Sequence, residues 1–248
     1  MSFRQFRADL HVHTVLSPCA EVEMIPPLIV ETALELGLDL IAITAHNATA
    51  NIHAVQKAAG SSPLVVLPGM ELQTKEDVHS LCLFDTLQQA EELQRIVDAT
   101  LPNIKNNDEL FGAQFIVDES GAYLRNEERL LIASSSLSIN QAYDIVTKIG
   151  GLFIPAHINR KTFGLIENLG FLPPDLPVCA VEVSRHITPE QAQIDFPSIS
   201  RIPIIQNGDV HRLNEFMGSL FFKLEKPTIA EMKLALQCKS GRSYKIAP

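Results

Sequence analysis

The chain has 248 residues, 46% of them hydrophobic and 6% aromatic, with 20 Lys and Arg against 29 Asp and Glu for a formal charge of −9. That length buries a full core and suits a one-domain α/β barrel. The acidic balance and the absence of tryptophan exclude a basic face that coats duplex nucleic acid or a long stacking channel for single strands, so no stable duplex binding is expected.

In chain order, "MSFRQFRADLHVH" enters a strand over Ala8–Val12 with no apolar leader segment. "PPLIVETALELG" then reads as a helix, with prolines in its first turn and Gly37 as its stop. Further strands are expected at Leu40–Thr44, Leu64–Leu67, His79–Phe84, Leu152–Pro155, Ala180–Val183, Ile202–Gln206 and Ser219–Phe222. "TLQQAEELQRIVDATL", "SINQAYDIVTKIGG" and "TIAEMKLALQCKSG" read as helices, the last two with Ser or Thr at the N-cap and glycine at the end. His53, within "NIHAVQKAAG", falls on a helix surface.

Strands that are apolar throughout and alternate with helices imply a parallel sheet covered outside by helices, either doubly wound or closed into a barrel. Residues 100–137 break this rhythm with a hairpin turning at "DESG" and a charged segment, so they read as an insertion in a single domain spanning 1–248. No run of ~18 or more apolar residues marks a membrane span, and a soluble cytoplasmic protein is expected. Cys19, Cys82, Cys179 and Cys238 form no CxxC pair, which leaves neither a disulfide framework nor a zinc ribbon.

The histidines cluster at strand ends. "ADLHVH", "IAITAH", "LFIPAH" and "IPIIQNGDVH" end on one, and "LVVLPGME" ends on Glu71. In parallel α/β folds these ends open onto one face, so His11, His13, His46, Glu71, His157, Asp209 and His211 are expected to converge. In "HVH" two imidazoles at i and i+2 point to the same side of a strand and can grip one ion. Five imidazoles with two carboxylates suit zinc, manganese or iron better than calcium or magnesium. The set exceeds the needs of one tetrahedral ion, so two to three divalent metals are expected, with Glu71 as a bridge. His79 stands instead at the start of a strand, where it is either a surface residue or a contributor to the same cluster.

Taken together, "DLHVHT", "ITAHN", "PGMEL", "VHSLCLF", "IPAHINR" and "NGDVH" resemble the successive motifs of the PHP (polymerase and histidinol phosphatase) superfamily. The resemblance implies a distorted (β/α)7 TIM-like barrel, a trinuclear metal site and phosphoester hydrolysis. By it, His11, His13, Glu71 and Asp209 would hold a first ion, Glu71, His79 and His157 a second, and His46 with His211 a third. Ala45 stands where many relatives carry an Asp, and Ser17, Pro18 and Cys19 stand where some carry a His or Asp. A third ion that binds weakly, is absent, or recruits water or Cys19 is therefore expected, and an acid at position 45 should restore it.

The resemblance also frames the rest of the chemistry. Arg160 and Arg212 follow ligand motifs closely and are candidate phosphate clamps. His186 is either a proton donor or a loop residue, and Asp9 is a candidate to orient a ligating imidazole. The expected substrate is a small phosphorylated metabolite, most plausibly a nucleotide or short oligonucleotide. Alternatives are a histidinol-phosphate or sugar-phosphate phosphatase, a non-phosphate metallohydrolase, and a degenerate non-catalytic metal-binding module. The sequence sets no oligomeric state.

Overall fold

A computed structural model describes residues 2–247. The chain opens with β1 (Arg4–Val12), α1 (Pro26–Glu35), β2 (Leu40–Ile43), α2 (Ile52–Ala59), β3 (Val65–Gln73), β4 (His79–Leu83) and α3 (Leu87–Thr100). Residues 101–137 contain the one-turn α4 (Asp108–Phe111) and a hairpin of β5 (Phe115–Val117) and β6 (Tyr123–Asn126). There follow α5 (Ile139–Ile149), β7 (Leu152–Pro155), α6 (Leu165–Leu169), β8 (Val181–Val183), α7 (Pro189–Asp195) and β9 (Ile204–Gln206). The chain finishes with β10 (Leu220–Leu224), α8 (Ile229–Leu236) and β11 (Ser243–Ile246).

Local chemistry sets the helix ends. Two prolines start α1, and reciprocal capping boxes Thr86/Gln89 and Ser138/Gln141 start α3 and α5. Gly150 ends α5 in the left-handed region at φ 94°, a conformation that any side chain would strain. The hairpin turns where expected, with Asp118 accepting from the amides of Ser120 and Ala122.

The main sheet has the order β11-β10-β1-β2-β3-β4-β7, with β8-β9 as a separate parallel pair. It curls on itself. The amide of Ile158 donates to Glu182 O beside β8, and past β9 Val210 exchanges amide bonds with His11 and His13 at the end of β1. The result is a distorted, TIM-like barrel. The wholly parallel sheet expected from sequence is found only within β1-β2-β3 and β8-β9. β4 runs antiparallel to both β3 and β7, and β10 runs antiparallel to β1 and β11. The reason is local: only a short turn separates β3 from β4, and a parallel partner needs a crossover of a dozen or more residues. β11, too polar to register as a buried strand, was not expected. No helix among the described residues is long and apolar enough to cross a membrane.

Two apolar layers hold the fold. An outer layer packs α1, α2, α3 and α5 on the sheet through residues such as Ile29, Val55, Val97 and Val146. An inner cluster gathers Leu10, Leu40, Ala42, Leu67, Leu81, Leu83, Ile154, Ala180 and Ile205, with Met232 of α8. Side chains alternate across a strand, so the face that is apolar in this inner cluster continues upward into polar residues. Leu40 and Ala42 lead to Thr44 and His46, Leu67 to Gly69 and Glu71, Leu83 and Leu81 to His79, Ala180 to Glu182, and Ile205 to Asn207. The inner cluster is the floor of whatever these residues build.

Candidate metal centre

On β1 the alternation is broken on purpose. Its register against β2 shifts between Asp9 and Val12, a bulge-like irregularity of the kind that re-aims a side chain. Leu10 therefore stays in the inner cluster while Val12 enters the outer one. His11 and His13 both turn inward, fully buried, with their Nε2 atoms 3.2 Å apart. His46 follows β2, Glu71 lies within β3 rather than beyond it, and His79 opens β4.

The structure brings these groups together around Glu71, which is fully buried. Glu71 Oε1 lies 2.9 Å from His157 Nε2, 2.9 Å from His79 Nδ1 and 3.3 Å from His11 Nε2. Glu71 Oε2 lies 2.9 Å from His46 Nδ1 and 3.3 Å from His13 Nε2. Asp209 Oδ1 stands 3.2 Å from His11 Nε2, and His211 stacks on His13 with ring centroids 3.9 Å apart. Three groups offer ligand atoms all within 4.8 Å of one another: His11, His13, Glu71 and Asp209; His46, Glu71 and His79; and His13, His46 and His211. His79 joins through β4's antiparallel pairing with β3, which sets Gln73 against His79.

The donor set fits divalent ions. His46 Nδ1, His79 Nδ1, Glu71 Oε2 and Asp209 Oδ1 are all buried and lack a hydrogen-bond partner, although the first three lie within 2.9 Å of a neighbouring ligand atom. Buried polar atoms are normally satisfied; lone pairs that face one another at short range need a cation between them.

The electrostatics agree. Burial alone would raise the Glu71 carboxyl, yet His79, His11 and His46 around it hold it well below the usual range. Asp209 is likewise held low against burial by His11 and His13. Burial opposes the charged form of His46, but Glu71 and Cys19 pull it up to about 9. Burial wins at His79 and His211, which fall to about 4 and about 2 and so present neutral imidazoles, the ligating form.

Three residues that sequence reasoning passed over complete the support. Glu182 of β8 is buried and accepts from His11 Nδ1 (3.0 Å), the amide of His157 (3.0 Å) and Asn207 Nδ2 (2.8 Å). Asn207 also accepts from the amide of Leu10 at 2.9 Å. Ser17 Oγ bonds His13 Nδ1 at 2.8 Å and accepts from the amide of His46. The available signal was position: Glu182 and Asn207 each lie two residues beyond an apolar inward residue of a strand.

Two expectations need correction. Asp9 touches no imidazole ring; it accepts from the amides of Gly208 and Met217 and so anchors the loop that carries Asp209, while Glu182 orients His11. Ala45 packs in the outer apolar cluster, because strand alternation turns it away from His46. An acid there would face the helices and not the ions.

The remaining candidates line the rim of a cavity of about 430 Å3, which also receives Cys19, Phe163 and Arg185. Arg160 Nη1 bonds Asp209 Oδ2 at 2.6 Å, with its side chain 41% exposed. Arg212 is engaged with Glu21 and Glu215. His186 is exposed on the rim, and His53 lies exposed on α2, away from the cavity.

No family model and no curated protein matches the chain. Solved structures do. Endonuclease Q of Pyrococcus furiosus, a lesion-specific endonuclease, superposes with a TM-score of 0.74 at 21% identity, over 97% of this chain and 58% of its own. Endonuclease Q in complex with a 27-mer duplex bearing an abasic lesion at its active site gives 0.73 at 21%, with the same shares. This chain thus spans little more than half the length of those proteins. A two-domain protein of Bacteroides vulgatus containing a predicted PHP-like metal-dependent phosphoesterase gives 0.56 at 13%, over 99% of this chain and 66% of its own. The fold is that of the PHP superfamily.

Proposed function

We propose that the chain is a PHP-type metal-dependent phosphoesterase. The observation that carries this reading is the convergence of unpartnered, buried imidazole and carboxylate atoms on Glu71 at the end of the barrel where such folds place their chemistry. In this reading His11, His13, Glu71 and Asp209 hold one ion, Glu71, His79 and His157 a second, and His46 and His211 a third shared with His13, with zinc, manganese or iron as the metals. Bound there, such ions supply an acidified water and neutralise the charge that gathers on phosphoryl oxygens.

The protein's own groups do the rest. Glu182 and Ser17 hold the His11 and His13 rings with Nε2 turned toward Glu71. The inner apolar cluster seals the floor against water. Arg160, tethered to Asp209 at the cavity rim, is placed to clamp a non-bridging phosphate oxygen, with two donors suited to a phosphate face. His186 stands across the rim as a candidate proton donor to the leaving group, whereas Arg212, held by two carboxylates, serves the loop.

For substrate we infer a nucleotide or nucleic-acid phosphodiester. The likeness to Endonuclease Q supports the inclusion of duplex DNA, which the acidic composition had argued against: ions at the site supply locally the positive charge that the surface lacks. The test is hydrolysis of a generic phosphodiester, a generic phosphomonoester and a lesion-bearing duplex by protein reconstituted with zinc, manganese or iron. Turnover lost in His13→Ala is the expected result, and tight metal binding with no turnover of any phosphoester would sink the enzyme reading in favour of a non-catalytic module.

A further inference from the structure

The loop after β1 carries a group that the ligand sets above do not use. Cys19 lines the cavity beside His46 and His211, and its thiol lies within hydrogen-bonding reach of the His46 ring. The position is fixed rather than incidental. Turn bonds run from the amide of Ser17 to Thr14 O and from the amide of Ala20 to Ser17 O, and Ser17 Oγ ties the loop to both His13 and His46. From outside, the 101–137 insertion presses on it: a Cβ at Gly112 would stand 2.1 Å from Pro18 O.

An independent observation points to a ligand here. His46 is 6% exposed, its Nδ1 has no hydrogen-bond partner, and its ring shares a group with His13 and His211 whose ligand atoms lie within 4.8 Å of one another. Three imidazoles are one donor short of a closed tetrahedral zinc site. A thiolate is a soft donor that favours zinc, iron(II) and cobalt(II) over manganese and magnesium.

We propose that Cys19 is the thiolate ligand completing the site formed by His13, His46 and His211, so that this position takes a thiophilic divalent ion in preference to manganese or magnesium. The assignment rests on the reading of the cluster as a metal centre. Metal uptake would release the thiol proton to solvent, and oxidation of the exposed sulfur would empty this position while leaving the Glu71-centred ions in place.

The test is cobalt(II) titration of the full chain, followed by absorption and metal analysis. Wild type and Cys238→Ser should both develop a near-ultraviolet sulfur-to-cobalt charge-transfer band. Cys19→Ser should lose the band and about one equivalent of metal, and Cys19→His should recover the equivalent without the band. Cobalt binding by wild type with no such band, or its persistence in Cys19→Ser, would overturn the Cys19 assignment and leave the metal centre standing. A wild-type protein that takes up no cobalt, zinc or manganese would overturn the metal centre and the Cys19 assignment with it.

Discussion

The two halves of the site hold their ligands by different means. On the side of β1 to β4, the ligands sit on or beside strands, and the alternation of the pleat aims them: Glu71 and His79 are strand residues with regular neighbours below them. On the side of β7 to β9, His157 and Asp209 sit just past strand ends in the left-handed region, at φ 27° and 51°. Non-glycine residues avoid that region, and strain there of order 1–3 kcal/mol per residue persists only where surrounding contacts enforce it. Here Glu182 holds the amide of His157, and Asp9 holds Gly208 beside Asp209. A strand-borne ligand is thus as robust as the sheet, whereas a loop-borne ligand is only as robust as its carboxylate anchors.

The largest test addresses what the halves share. Glu71→Ala removes the carboxylate common to two of the three ligand groups, and metal analysis should show loss of all ions but one weakly held equivalent, with activity at background. Retention of two equivalents would mean that the halves bind independently. Next in size is Ala45→Asp on the strand side. A carboxylate buried among the helices should cost about 3–5 kcal/mol in denaturant unfolding, as an uncompensated buried charge does, with no gain of metal. A stable variant with added metal would restore the third-ion role that sequence comparison had suggested for this position.

On the loop side, Glu182→Gln keeps the shape but weakens the acceptor shared by His11, His157 and Asn207. Metal affinity should fall by about 10–100-fold, the usual effect of removing an outer support, while the melting temperature moves little. Smallest is Gly208→Ala. Its Cβ would stand 2.4 Å from Glu215 O, so the loop must shift at a cost of about 1–3 kcal/mol. If the contrast between strands and loops is right, this variant loses metal at the Asp209 group before the group of His46, Glu71 and His79, which electron–nuclear or paramagnetic NMR of the loaded protein can separate; uniform loss would erase the contrast.

Much of this was legible along the chain because strand ends and alternation are local. "HVH", "ITAH" and "PGMEL" announce inward residues through the apolar residues that precede them, and the helix caps Thr86, Ser138 and Thr228 need only their own neighbours. Glu182 was hidden for a related reason: "VEV" reads as a short strand with one exposed acid, and nothing local says that its inward side meets His11 from 171 residues away. Asp9, adjacent to the ligand motif, invited a role that its actual partners, the amides of Gly208 and Met217, contradict.

The sequence by itself determined the strand and helix grammar, the imidazole-rich donor set and the face on which it would gather, because periodicity and residue chemistry act over a few residues. The tertiary structure decided which way β4 runs, that Ala45 faces the helices, that Glu182 rather than Asp9 steadies His11, and that the insertion pins Cys19 beside His46. Each of those depends on register and closure between segments far apart in the chain, which only the assembled barrel supplies.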